Sequence, residues 1–589
     1  MYLCDRTEIE NNTSSDTLML RAAHACADEI RSILGTANTE TDTENRPAHV
    51  LILCGSGNNG GDGILCARLL RETGIAADIC TSFDGEGSSP ADACRLQHAL
   101  DAGVRRVPLT ALTDPEADPS YDLIADALIG IGLHGEITGV TADIIDAANT
   151  YAAEHRIPTV AIDMASGIDA DTGKTAVHTF RASHTLAINN AKRGHLLYPG
   201  AACTGALRIL DIAIPEAPLD IPTDGTPRIP VFMLTDRDAK TLLPARRPDA
   251  HKGSCGRILI VAGSLTICGA AYLSALGAYR TGAGMVEIFT PKENRIPLQT
   301  LLPEAIINAY DNDDLLQTLN DLGAAIKRAS AIVIGPGIGT GLNANAMLDY
   351  LLRAATVPTV LDADALTILA DSSESWLQVQ GRRLKKQLLT DPHTAHDCVI
   401  EEENPEDEKD DASDDGTDET EHRRTGCLGI PSPDTIRVPK SIIRDSGIST
   451  DVPPFIMTPH PREMSHLSGR KIEECLANPI GTATVFAGIH KIILNAKNAR
   501  SVITDGNTAY LNPTGTAALA KGGSGDVLTG ITATLCAQGC DPLKATALAA
   551  YIHGRAAEIV TSRMGDRAPL ASEIADAIGE AILQIEATV

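Results

Sequence analysis

Aromatic residues are scarce in this chain: one Trp, six Phe and ten Tyr make up 3% of 589 residues. Alanine and glycine fill the space instead, a composition that suits tightly packed α/β layers better than an all-β sandwich. Positive charge is also in deficit. The net charge of −28 argues against non-specific binding to nucleic acid or to an anionic membrane surface. No run of about 18 apolar residues occurs, and the amino terminus carries no signal-peptide pattern, so a cytoplasmic enzyme is expected. The fourteen cysteines contain no CxxC pair, and several (Cys54, Cys66, Cys80 and Cys536) lie inside apolar runs. That spacing fits reduced, packed thiols rather than disulfides or zinc sites.

What is present begins with length. A chain of this size exceeds one ordinary core and implies two or three domains. Residues Ser14 to Leu34 read as a helix, with Ser15 or Asp16 as cap and Leu18, Ala22, Ala25, Cys26 and Ile30 as its apolar stripe. His49 to Cys54 is a buried parallel-strand pattern that runs into Gly55-Ser56-Gly57-Asn58-Asn59-Gly60-Gly61-Asp62-Gly63, then a helix from Ile64 to Thr73. Strand, glycine loop and helix in that order suit a phosphate or dinucleotide. This is not a GxGxxG fingerprint, because Asn58, Asn59 and Asp62 add side-chain donors and acceptors that pyrophosphate binding does not need. Strands around Leu123–Ala127 and Thr159–Ile162 follow, so that three successive strand ends carry Asp62, Asp126 and Asp163. A single strand-end aspartate is usually a cap or turn former; three in a row favour a site.

These motifs, GSGNNGGDG, DALIGIG and DMASGIDADTG, together with KRGHLLYPGAACTGALRILDIAIP from Lys192 onward, resemble the epimerase half of the bifunctional NAD(P)H-hydrate repair enzymes. The resemblance implies a Rossmann-like three-layer domain that interconverts the R and S forms of hydrated NADH or NADPH, written NAD(P)HX. It implies a substrate lining of Asn58, Asn59, Gly60, Gly61 and Asp62 with Gly130, Ile131, Gly132, Leu133, His134, Gly135 and Glu136. Asp163 would be the acid/base, and Asn59, Asp126 and Ser166 would hold a potassium ion, for which an all-oxygen set is suitable. Ala165 stands where the family usually carries proline.

The second half restarts the alternation after a proline-rich stretch, Pro215 to Pro230. Arg257–Ala262 and Ala331–Ile334 read as strands, the latter ending in Gly335-Pro336-Gly337-Ile338-Gly339, and a small-residue helix begins near Gly269. Thr359 to Leu361 ends in Asp362 and Asp364; paired acids beside a nucleotide site commonly serve magnesium, although either alone could be a solvated strand end. Thr458-Pro459-His460-Pro461 is a turn whose prolines fix the histidine's direction. Ala549 to Ala557 reads as a closing helix. Gly522 to Gly530, GGSGDVLTG, leads into a helix whose free N–H groups suit phosphate, with Asp526 placed as a base for a substrate hydroxyl. On those nine residues alone, a glycine-rich helix entry capped by Asp526 is an equal reading.

HKGSCG, GPGIG, VLDADAL, TPHPREM and GGSGDVLTG, in that order, resemble the ADP/ATP-dependent NAD(P)HX dehydratases, whose fold is ribokinase-like α/β. The implied reaction is phosphorylation of the hydrate's C6 hydroxyl followed by loss of phosphate. Ala270, Gly339, His460 and Asp526 would contact the hydrate; Lys497, Asn498, Ala499, Arg500, Ser501 and Gly525 would hold ADP or ATP. Asn498 stands where the family tends to carry glycine, and asparagine tolerates the left-handed turn that glycine favours.

The expected organisation is an epimerase domain over 1–220, a linker over 221–235 and a dehydratase domain over 236–589. The second domain carries an insertion over about 377–450 that is expected to be disordered. Within it, residues 401–421 hold thirteen Asp or Glu and one Lys, a charge of −12 that cannot order itself around an apolar core. Expected partners are NADHX or NADPHX, ADP or ATP, magnesium, potassium and further copies of the chain as a homo-oligomer, with no nucleic acid and no membrane. Two other readings compete. One is a small-molecule kinase fused to a nucleotide-binding module; the other makes the first half a non-catalytic scaffold.

Overall fold

The computed structural model describes residues 13–37, 46–83, 90–114, 120–133, 135–214, 229–372 and 454–588. The acidic insertion, His134 and positions 221–228 of the expected linker lie outside the described residues. The chain divides into two compact units, Met1–Arg228 and Ile229–Val589.

The first unit is built on seven strands: β1 (His49–Cys54), β2 (Ala76–Thr81), β3 (Arg105–Arg106), β4 (Leu123–Ala127), β5 (Thr159–Ile162), β6 (His184–Ile188) and β7 (Ala206–Leu210). All run parallel in the order β3-β2-β1-β4-β5-β6-β7. Side chains alternate across the sheet. Val50, Ile52 and Cys54 pack with the helices Ser15–Ala37 and Asn58–Glu72, while Leu51 and Leu53 pack with Val140–His155. Both faces are covered, which is why the central strands read as unbroken apolar runs. This is the Rossmann-like three-layer arrangement expected from the sequence. Its order reverses between β1 and β4, and a crevice outside the strands' carboxyl ends is the consequence.

Three local expectations are corrected. The first helix is capped by Ser14, whose Oγ accepts the Thr17 N–H at 3.3 Å, rather than by Ser15 or Asp16. The glycine loop after β1 is largely helix: it starts at Asn58 instead of Ile64, so Asp62 belongs to the helix and not to a strand end. The glycines serve close approach there, since a Cβ on Gly55 would lie 1.9 Å from the Leu128 carbonyl oxygen. Finally, Val231–Phe232, inside the expected linker, is strand β8 of the second unit, pairing with Ala509 and Tyr510.

The second unit has a ten-stranded sheet. Its remaining strands are β9 (Arg257–Val261), β10 (Met285–Pro291), β11 (Ile306–Tyr310), β12 (Ala331–Ile334), β13 (Thr359–Leu361), β14 (Phe455–Met457), β15 (Ile493–Ala496), β16 (Val502–Thr504) and β17 (Ala509–Leu511). The order is β11-β10-β9-β12-β13-β14-β15-β16-β17-β8; β11 through β15 are parallel, and β15, β16 and β17 form an antiparallel meander. It is the ribokinase-like α/β half. The helices Gly269–Arg280, Ser524–Ala537 and Pro542–Met564 cover one face over Ile258, Ile260, Val333, Val360 and Ile493. Two short helices follow the one expected to close the chain, Ala571–Asp576 and Ile578–Ala587.

The helices Gly269–Arg280 and Ser524–Ala537 cross with their backbones nearly touching. A Cβ at Gly530 would lie 2.0 Å from the Ser274 carbonyl oxygen. This contact holds the glycine-rich turn at Gly523 against the helix that carries Ala270. Gly530→Ala is expected to lower the stability of the second unit by about 3 kcal/mol, the upper end for overpacking. Gly579→Ala, at a helical position with open space around it, is expected to gain about 0.5–1 kcal/mol from helix propensity alone. Thermal melts followed by circular dichroism check both; equal melting temperatures for the two variants would contradict the crossing.

Candidate active sites

In the first unit, polar side chains gather where β1, β4 and β5 end. Asp126 is fully buried within β4. Its Oδ1 accepts the Leu128 N–H (3.0 Å) and the Ser166 hydroxyl (2.7 Å), and its Oδ2 accepts the Ser166 N–H (2.7 Å). Burial raises this carboxyl to about 6, against the hydrogen bonds from Leu128 and Ser166. Ser166 Oγ in turn accepts the Ile129 N–H at 2.8 Å, which fixes the loop entering Gly130. Gly130 packs on Asn59, whose Oδ1 and Nδ2 are both buried without a partner among the described residues. An orphaned buried amide is costly unless something completes it. The expected trio Asn59, Asp126 and Ser166 is therefore part of one cluster.

Asp163 follows β5 directly and sits at φ +64, an uncommon conformation for a non-glycine residue. Its Oδ1 accepts the Ile188 N–H at 3.1 Å and an ion pair from the Lys192 ammonium. Its carbonyl oxygen accepts from His195 Nε2 at 2.8 Å. Burial, then the Lys192 charge, lowers His195 to about 4, so the ring is neutral at pH 7. Lys192 and His195 lie in the segment KRGHLLYPG that carries the resemblance, which by itself implies no role for either. Their signal was a lysine and a histidine three residues apart, just after a buried strand. Of the other expected lining residues, Gly60, Gly61 and Asp62 are buried in the helix Asn58–Glu72, where Asn58 is exposed. Ile131, Gly132, Leu133, Gly135 and Glu136 form the loop after β4, with Glu136 Oε2 accepting the Val177 N–H at 3.5 Å.

In the second unit, the buried Asp362 at the end of β13 accepts from the Lys497 ammonium at 2.7 Å. Asp364 Oδ2 accepts the Gly339 N–H at 2.8 Å. Gly523, at φ +95, turns the chain into the helix Ser524–Ala537. A Cβ on Gly525 would lie 3.2 Å from Lys497 Nζ and 3.3 Å from Asp362 Oδ2, so the turn docks onto this ion pair. Asp526 is pushed up to about 7 by burial, then by the Asp362 charge, with Lys497 pulling the other way. His460 begins the helix Pro461–Ser468. Its Nδ1 accepts the Glu463 N–H (3.1 Å) and its own N–H donates to Glu463 Oε2 (2.8 Å). Glu463 is raised to about 7, mainly by burial.

Ala270 opens the helix Gly269–Arg280 and is buried; a Cβ on Gly337 would meet it at 3.3 Å. Thus Gly339, His460, Lys497, Gly525 and Asp526 converge through Asp362, Asp364 and Glu463. Asn498 is not among the residues with positive φ, so the left-handed turn expected there is absent; its Oδ1 accepts the Ala499 N–H at 2.8 Å instead. Arg500 buries an Nε without a partner among the described residues, and the Ser501 carbonyl accepts the Asn512 N–H. Two residues had been missed. Glu463 holds His460, and His553, fully buried with an unpartnered Nε2, is lowered to about 4 by burial and then by Lys497. Neither was separable in the sequence from an ordinary helix cap and an ordinary core histidine.

Fold and sites define a two-unit α/β enzyme, Rossmann-like in its first half and ribokinase-like in its second. Residues 15–194 match the family described as YjeF-related protein N-terminus, and residues 258–395 and 443–580 match NAD(P)H-hydrate dehydratase. The chain is 30% identical over 534 residues to the bifunctional NAD(P)H-hydrate repair enzyme of Leishmania infantum, covering 88% of this chain and 82% of that one. It is 29% identical over 551 residues to the enzyme of the same name from Moorella thermoacetica, with 91% and 88% covered. Among solved structures, it is similar to the ADP/ATP-dependent NAD(P)H-hydrate dehydratase of Bacillus subtilis co-crystallised with ATP and magnesium. That likeness has 26% identity and a TM-score of 0.42, covering 61% of this chain and 99% of that one. The chain belongs to the family of bifunctional NAD(P)H-hydrate repair enzymes.

The Asp526 shift has a direct consequence for pH. A base works only when ionised, and in the role that the resemblance implies for it Asp526 would be protonated, and idle, below about 7. Dehydration under single-turnover conditions should therefore fall as pH drops through about 7. A rate flat from pH 5.5 to 8 would contradict the environment assigned to Asp526.

Proposed function

We propose that the two halves act in turn on hydrated nicotinamide cofactors. The first interconverts R- and S-NAD(P)HX. The second converts S-NAD(P)HX to NAD(P)H, consuming ADP or ATP and releasing phosphate with AMP or ADP. The observation that carries this reading is the docking of Gly525 onto the Asp362–Lys497 pair, which sets a carboxyl of raised affinity for protons inside an amide-lined turn.

The chemistry follows from the substrate's C6, which bears a hydroxyl next to the ring nitrogen. Water leaves poorly and phosphate leaves well. Asp526 takes the hydroxyl proton as the oxygen attacks the terminal phosphorus, while the first amides of the helix Ser524–Ala537 and Lys497 face the charge on the group in transfer. The nitrogen lone pair then expels phosphate, and loss of the C5 proton restores the reduced ring. In the first unit, the C6 hydroxyl takes a proton from solvent and leaves as water while the ring nitrogen forms a C=N bond, and Asp163, an ion-paired carboxylate, takes a proton from the water that adds to the other face. Asp163 then returns that proton to solvent, so only the configuration changes.

Both metal ions suit the residues present. The charges of Asp362 and Asp364 both act on Asp526 against a single Lys497, and this surplus of negative charge suits magnesium. Asp362 and Asp364 would hold it, and it would neutralise phosphate charge. The Asn59 amide beside Gly130, unpartnered among the described residues, with Asp126 and Ser166 bonded to the Leu128 and Ile129 N–H groups that lead to Gly130, fits a hard monovalent cation. These three would hold potassium, which would supply fixed positive charge near the substrate. No helix among the described residues is long and apolar enough to cross a membrane. A cytoplasmic setting and a homo-oligomeric state belong to the same proposal. The fused-kinase alternative is not favoured, since the family matched across the second unit is a dehydratase.

The test is recovery of reduced-nicotinamide absorbance from mixed-epimer NADHX with magnesium, first with ADP and then with ATP. Recovery of the whole mixture supports both activities, and the faster nucleotide is the phosphoryl donor. No recovery with either would overturn the proposal. Asp526→Asn should slow NADH formation by about 10²–10⁴-fold, as expected for losing a general base, while R/S exchange persists. Asp163→Asn should do the reverse, leaving the R fraction behind.

A further inference from the structure

Lys192 lies four residues past the end of β6, the strand beside β5, and reaches back to the turn that holds Asp163. Its ammonium donates to Asp163 Oδ1 and to the Ile188 carbonyl, the latter at 3.0 Å. The Ile188 N–H donates to the same Oδ1. A second path closes the loop: the Lys192 N–H donates to His195 Nδ1 at 3.1 Å, and His195 Nε2 donates to the Asp163 carbonyl at 2.8 Å. Because Nδ1 accepts, the neutral ring must carry its proton on Nε2, which is the atom that meets the carbonyl. Asp163 is thus gripped at both its side chain and its backbone. Asp163 and Lys192 are 8% and 9% exposed, so this is a buried ion pair at the mouth of a strand and not a surface contact. Asp163 Oδ2 accepts no hydrogen bond from the described residues, and every side-chain contact falls on Oδ1.

The geometry points to Lys192 as the positioning residue of the first active site: it ties Oδ1 so that Oδ2 alone exchanges a proton with the C6 hydroxyl. This rests on reading the first unit as the epimerase. An untied carboxylate rotates about its terminal bond and presents either oxygen. A tied one presents a single oxygen in one direction, which is what proton transfer within hydrogen-bond reach requires. The lysine itself touches no reacting atom. Its loss should therefore act on turnover more than on substrate binding.

The experiment uses the full chain and purified R-NADHX, with NADH formation by the second unit, supplied with magnesium and ADP or ATP, as the readout. Lys192→Met keeps the apolar stem and removes the charge. Its kcat for the R epimer is expected to fall about a hundredfold, the lower end for disabling an acid/base group, with KM changed less than about threefold. Added ethylamine, a small ammonium that can enter the vacated space, should restore at least tenfold of that loss. Dehydration of pure S-NADHX should be unchanged, which shows that the reporter half is intact. Lys192→Arg keeps a cation and should retain more activity than Lys192→Met, and it carries the comparison if the methionine variant does not fold. Wild-type turnover by Lys192→Met, a loss confined to KM, or a folded variant that amine does not rescue would each overturn the assignment. A wild-type chain that leaves R-NADHX untouched would overturn the epimerase reading instead.

Discussion

A buried aspartate that ends a parallel strand and is neutralised by a lysine arriving from elsewhere in the unit organises each half of this protein. In the second unit it is Asp362 with Lys497 at 2.7 Å; in the first it is Asp163 with Lys192. Such pairs are poor stabilisers, because desolvating two ions offsets much of their attraction, and removing one partner leaves an uncompensated buried charge. Their value is geometric. Each fixes a carboxylate at the place where an open parallel sheet exposes a crevice, and each brings a later loop onto that point. Around Asp362 the arriving groups are Gly525 and Asp526; around Asp163 they are Ile188 and His195.

The two sites treat charge differently. The second collects carboxylates, and burial first, then the neighbouring carboxylates, raises Asp526 and Glu463 to about 7. That suits a base that must hold a proton lightly near neutral pH and a site that takes a cation and a polyphosphate. The first spreads its acids apart. Asp126 is wrapped by Ser166 and Leu128, and Asp163 has its own lysine. In the proposed scheme one site handles a phosphoryl group and the other only water and a proton. The environments follow that division.

Much of this was legible in the chain as written. The apolar runs of β1, β4, β9 and β12 announce parallel strands because both faces of each sheet are covered. GNNGGDG announces close approach of backbone, since a Cβ on Gly60 would lie 1.8 Å from the Gly55 carbonyl oxygen, whereas in GGSGD the glycines make room for side chains, Leu273 at Gly523 and Lys497 at Gly525. What failed was local. Six residues of presumed loop after β1 are helix, since Asn-Asn-Gly-Gly-Asp lacks helix propensity and packing against β1, β4 and the helix Ser15–Ala37 stabilises it. Val231–Phe232 looked like linker because a two-residue strand has no periodicity to read. Asn498 is of a residue type that tolerates a left-handed turn, yet its side chain bonds the next amide without that conformation.

By itself the sequence determined the class of each half, the succession of the main strands along the chain and, in Asp163 and Asp362, two of the acids that sit at strand ends. Those follow from hydrophobic period and from the steric demands of glycine, both properties of neighbouring residues. Only the tertiary structure decided which charges meet. Lys192 is 29 residues from Asp163, and Lys497 is 135 residues from Asp362. No local pattern links positions that far apart. Their pairing, and the proton affinity of Asp526 that burial raises first, arise from burial and Coulomb forces that exist once the sheet is assembled.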